Sequence, residues 1–61
     1  MTGLLNYIYD EIQYHIDSGY KTDFKEVLNS DVDNETLAHN MYDVGRYETL
    51  LELKEKIEEL I

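Results

Sequence analysis

The chain has 61 residues, with 14 Asp and Glu against five Lys and Arg, no cysteine and no proline, and a formal net charge of −9. That charge opposes direct binding to nucleic acid or to anionic membrane surfaces, and the missing cysteines exclude disulfides and thiolate metal sites. At this length the chain is a single domain, residues 1–61, and its 43% apolar content is too high for a disordered acidic tail.

A domain of this size buries only about 60% of its unfolded surface, so oligomerisation is the expected source of further stability. No apolar run approaches the roughly 20 residues of a membrane span. No basic region followed by an apolar core opens the chain, so no secretory leader is expected and the cytoplasm is the expected location.

The composition predicts an all-α domain: two main antiparallel helices and a short helix connecting them. The first predicted helix covers residues 2–18, with Thr2 as its N-cap. At 100° per residue, Leu4, Leu5, Ile8, Tyr9, Ile12 and Ile16 share one arc. Asn6, Asp10, Glu11, Gln13 and Asp17 lie outside it, together with Tyr7 and Tyr14. Gly19 stands where a left-handed C-terminal cap is wanted.

A short second helix is predicted over residues 23–29. Asp23 and Glu26 have the capping-box spacing, and Phe24, Val27 and Leu28 form one apolar face. A helix this short must dock on the others. Residues 30–34 are dense in turn and cap formers, and Ser30, Asp33 and Asn34 are all candidate starts for the third helix.

That helix is predicted over residues 35–60, roughly 39 Å in length. Its apolar stripe changes sides. Leu37, Met41 and Val44 lie together, whereas Leu50, Leu53, Ile57 and Leu60 lie on the nearly opposite face, with Tyr47 and Leu51 between. Gly45 sits at the changeover, where it marks either a kink or a close backbone approach. Either the helix breaks there, or it continues and its C-terminal half faces a second chain. Leu50, Leu53, Ile57 and Leu60 are spaced 3, 4, 3 as in a short heptad seam, and they are the expected oligomer interface unless they pack within the chain. Glu52 and Lys56 form a favourable i,i+4 pair, while Glu48 with Glu52 and Glu55 with Glu59 are like-charged at that spacing.

Motifs for chemistry are lacking. Asp31, Asp33 and Glu35 match the first positions of an EF-hand loop, but Thr36 and Tyr42 stand where its glycine and its bidentate glutamate belong. These residues are therefore expected to cap and solvate. His15 falls within the apolar arc as a packed histidine, and His39 is expected to be exposed. Neither has a partner for a zinc site. No nucleophile elbow, phosphate loop or HExxH is present. A chain this small is expected to lack a concavity of several hundred Å3. No enzyme activity, cofactor or metal is expected.

Six tyrosines stand out against one phenylalanine and no tryptophan. Tyr7 and Tyr14 project from the polar face among Asp10, Glu11 and Asp17, and Tyr is a favoured interface residue. With Glu52 and Glu55 they form the expected partner-binding set. Rows of carboxylates along two helices, joined by Glu48, Glu58 and Glu59, are able to imitate a duplex backbone and occupy a basic groove. Small size, acidity and abundant tyrosine resemble the short proteins of bacteriophages and mobile elements, a likeness of composition that carries over no residue. The expected function is a small acidic protein-interaction module, an inhibitor or DNA mimic whose partner is a basic protein surface. The alternative is a structural homo-oligomer, such as a homodimer, with no external target.

Overall fold

The computed structural model describes residues 2–61 and is all-α, with helices α1 (Thr2–Asp17), α2 (Phe24–Leu28) and α3 (Asn34–Leu60). Their ends are set by local chemistry. Gly19 takes a φ of +78°. Its amide donates to the Ile16 carbonyl at 3.1 Å, and the Tyr20 amide donates to the His15 carbonyl at 3.3 Å. This bond pair is the Schellman termination that a left-handed glycine permits. Thr2, expected as the cap of α1, is instead its first helical residue.

Asp23 caps α2 by accepting the Lys25 amide at 2.9 Å. The capping box does not close, because the Glu26 carboxylate turns away to Lys21 Nζ at 3.4 Å. Among the three candidate starts for α3, Asp33 is the cap, accepting the Thr36 amide at 2.8 Å. The Ser30 hydroxyl instead donates to the Val27 carbonyl at 2.6 Å, at the end of α2.

The helix α3 runs unbroken through Gly45 for 27 residues. A methyl group built on Gly45 would meet nothing within 4 Å. The position is therefore neither a break nor a close backbone approach.

α3 is the spine of the molecule. At 1.5 Å per residue it is about 40 Å long, and it sets the 42 Å long axis. The His15 ring stacks on Tyr47 with centroids 5.3 Å apart, while the Tyr9 hydroxyl reaches Glu58 at 2.7 Å. Moving backward along α1 is thus moving forward along α3, and the two helices are antiparallel. α1 covers the half of α3 that follows Tyr47. The chain leaves α1 at that level and enters α3 at Asn34, so α2, which also packs on α3, lies along its first half.

This arrangement explains the stripe that changes sides. Two different helices cover α3, each over its own stretch. The inward row is Leu37, Met41, Val44, Tyr47, Leu51, Lys54 and Ile57, all buried or half-buried. The core proper consists of Ile8, Val27, Val44 and Ile57, with His15 fully enclosed beside them. On α1 the inward face is Leu5, Ile8, Glu11, Ile12 and His15. The expected arc is thus rotated: Leu4, Tyr9 and Ile16 are exposed, and Glu11 has moved in because α3 offers it a cation.

Candidate functional site

The hairpin of α1 and α3 has two edges. One is fixed by Arg46, whose guanidinium donates to Glu11 Oε2 at 2.6 Å with both side chains about two-thirds buried. The other is fixed by Glu58, which accepts the Tyr9 hydroxyl on Oε2 and faces Lys54 Nζ at 3.8 Å through Oε1. The Tyr9 phenol is held above its usual range, first because deprotonation would break the bond to Glu58 and then because of partial desolvation and the neighbouring negative charge.

These edges separate the residues expected to bind a partner. Tyr7 and Tyr14 lie four residues before and three after Glu11, hence along the Arg46 edge, and both are exposed. Asp10 and Asp17 are exposed on the outer side of α1. Glu55 lies three residues before Glu58, hence toward the Tyr9 edge, and forms a row with Glu48, Glu52 and Glu59 at spacings of 4, 3 and 4. The tyrosine set and the glutamate row therefore do not share one face. Glu11 is the member least free to meet a partner, being engaged by Arg46. Glu52 is exposed and pairs with Lys56 at 3.1 Å.

The residues expected at an oligomer interface are also divided. Ile57 belongs to the core and Leu50 is half-buried, whereas Leu53 is 42% exposed and Leu60 74% exposed. Beside them, on the outer side of α3, is an open groove of about 460 Å3 lined by Tyr42, Gly45, Arg46, Thr49 and Leu50. It is a shallow depression along one face of one helix and not an enclosed pocket. The groove exists because Gly45 has no side chain and Thr49 a short one, between the larger Tyr42 and Leu50. Sequence reasoning noted Gly45 but sought its reason in the backbone. It missed Tyr42, which at 71% exposure is among the most exposed aromatic side chains.

His15 sits where it was expected, enclosed, with Nε2 at 2.9 Å from the Lys21 carbonyl. Tyr20 covers its other side at 5.3 Å. Donation to a carbonyl places a proton on Nε2, and Nδ1 is buried without a hydrogen-bond partner. His39 is exposed beside Glu35 at 4.0 Å. Among the described residues no group of three or more His, Asp or Glu is placed to hold a metal. No described helix is long and apolar enough to cross a membrane.

No family model, curated protein or solved structure matches this chain. Its functional reading therefore rests on its own surface chemistry.

Proposed function

We propose that the chain is a small acidic helical interaction module, an inhibitor or nucleic-acid mimic of the phage type, that occupies a basic surface of a target protein in the cytoplasm. One observation carries this reading. Four of the five basic side chains are already paired with carboxylates of the same chain: Lys21 with Glu26, Arg46 with Glu11, Lys54 with Glu58 and Lys56 with Glu52. Local pairing removes the cations as independent patches and leaves the outward field negative on both edges. Such a field steers encounter with a positive surface and rejects phosphate. Exposed Tyr7 and Tyr14 supply rigid anchors on one edge. The role is binding without catalysis, and no cofactor is invoked.

Capture from a host lysate on the immobilised chain tests the proposal. The expected target is basic, competes with duplex DNA for the chain, and is released steeply by salt. Reversing Asp10 and Asp17 to Lys, or separately Glu52 and Glu55 to Lys, identifies the edge used. Capture indifferent to salt and to both reversals would refute the proposal. So would tight duplex DNA binding by the unmodified chain at about 150 mM salt, where the Debye length is about 8 Å.

A further inference from the structure

The outer side of α3 carries a second row of side chains, back to back with the core row. From Tyr42 it reads Tyr42, Arg46, Thr49, Leu53, Lys56 and Leu60, spaced 4, 3, 4, 3, 4. This is the spacing that keeps a seam on one side of a helix toward a partner helix. The stretch 42–60 contains six carboxylates, Asp43, Glu48, Glu52, Glu55, Glu58 and Glu59, and none falls on this row. In so acidic a chain, an acid-free strip about 27 Å long is the place where two copies can approach without carboxylates face to face.

The free surface points the same way. The chain exposes 4577 Å2, against about 4100 Å2 expected for a compact monomer of its 7.2 kDa mass. The excess is more than half of the roughly 800 Å2 that one partner contributes to a standard interface. The strip also holds the groove over Gly45 and Thr49, with Leu53 and Leu60 exposed further along.

We infer that this strip is a homodimer interface, with the α3 helices of two copies crossing at the groove. Its charge pattern selects a second copy over a basic target. The strip carries no carboxylate of its own, its two basic side chains Arg46 and Lys56 are already paired with Glu11 and Glu52, and Glu52 and Glu59 border it. A basic surface finds no free carboxylate to meet on this row, whereas a second copy offers Leu53 and Leu60 to the groove. The dimer is centred on α3, with Tyr7 and Tyr14 of α1 flanking it along the Arg46 edge and Glu52 and Glu59 at its border, so it rests on residues other than those proposed to meet the target.

Sedimentation equilibrium of the full chain is the test. Wild type is expected to be dimeric at tens of micromolar. Added salt should strengthen the dimer by screening the repulsion between copies, the opposite of its effect on a basic target. Leu53→Glu removes an apolar contact from both copies and should raise the dissociation constant about a hundredfold or more, with helix content unchanged because Leu53 is outside the core. Leu4→Glu, an exposed leucine on α1, should leave the dimer intact. In the absence of native cysteines, Thr49→Cys should form an intermolecular disulfide faster than Tyr7→Cys, a readout that does not depend on the stability of the Leu53 variant. A wild-type monomer at several hundred micromolar, a dimer that survives Leu53→Glu, or equal cross-linking at the two cysteines would each overturn the inference.

Discussion

The two sides of α3 carry rows of nearly the same spacing but different fates, with six of seven residues apolar on the inward row and three of six on the outer one. Leu37, Met41, Val44, Tyr47, Leu51, Lys54 and Ile57 are covered by α2 and then α1, whereas Tyr42, Thr49, Leu53, Lys56 and Leu60 face outward and Arg46 is half-buried against Glu11. The comparison teaches that an apolar seam identifies an interface but not its owner. Whether a leucine belongs to the monomer core or to an outer surface depends on which helix reaches it first. Lys54 and Lys56 make the same point with charge. Lys54 lies on the inward row with its stem half-buried and its ammonium at Glu58, while Lys56 stands on the strip paired with Glu52.

The largest test breaks the comparison directly. Val44→Asp places an unpaired carboxylate at a fully buried position. Its cost of several kcal/mol approaches the whole stability of a domain this small. Loss of helical circular dichroism at room temperature is the expected result. Leu53→Asp, on the other row, should leave monomer stability within about 0.5 kcal/mol. Equal unfolding by the two substitutions would erase the distinction between the rows.

His15 joins the two halves, since its ring packs on Tyr47 and Tyr20 and its Nε2 holds the Lys21 carbonyl. His15→Ala removes ring volume and this hydrogen bond together and should cost about 3 kcal/mol in a denaturant melt. Amide exchange across residues 18–23 should quicken more than in α3, because the carbonyl anchor of that loop is gone.

The glycines sharpen the comparison with opposite signs. Gly19→Ala forces a Cβ into the left-handed region and should destabilise by about 1 kcal/mol. Gly45→Ala adds a methyl into open space within a helix and should stabilise the monomer by about 1 kcal/mol. Thermal melts of dilute protein separate the two, and a destabilised Gly45→Ala monomer would show that the position is constrained within the chain.

The smallest effects are those of pH. The Asp33 carboxyl is held below its usual 3.8 by hydrogen bonding from Thr36, first from its side chain and then from its amide. Its contribution is therefore present above that value and is lost as pH falls through the lower folded value. Tyr9 has the reverse sign. Held above 10.0 by its bond to Glu58, it contributes below that pH and loses the contribution as pH rises through the higher folded value. Melting temperature should fall at each extreme. Tyr9→Phe should flatten the alkaline fall, and Tyr7→Phe should not.

Much of the fold was legible because helix ends are local chemistry. Gly19, Asp23 and Asp33 each act through bonds to residues within a few positions, so their roles followed from residue type and spacing. Within the candidate site, the exposure of Tyr7 and Tyr14 and the pairing of Glu52 with Lys56 were legible for the same reason. The contacts of Glu11 with Arg46 and Tyr9 with Glu58 were not. They join residues 35 and 49 positions apart, and periodicity says nothing of which turn of one helix meets which turn of another.

The sequence by itself determined an acidic, all-helical chain, the approximate ends of its helices and the enclosure of His15. Those properties follow from composition, local hydrogen bonding and periodicity within a single segment. Only the tertiary structure decided which apolar residues are core. It rotated the buried face of α1 toward Glu11 and His15, left Leu4 and Ile16 outside, divided α3 between two covering helices, and separated Tyr7 and Tyr14 from Glu52 and Glu55. The physical reason is that burial belongs to pairs of surfaces. A helix with apolar residues on two sides is locally indifferent to which side it hides, and the choice falls to the packing of the whole chain.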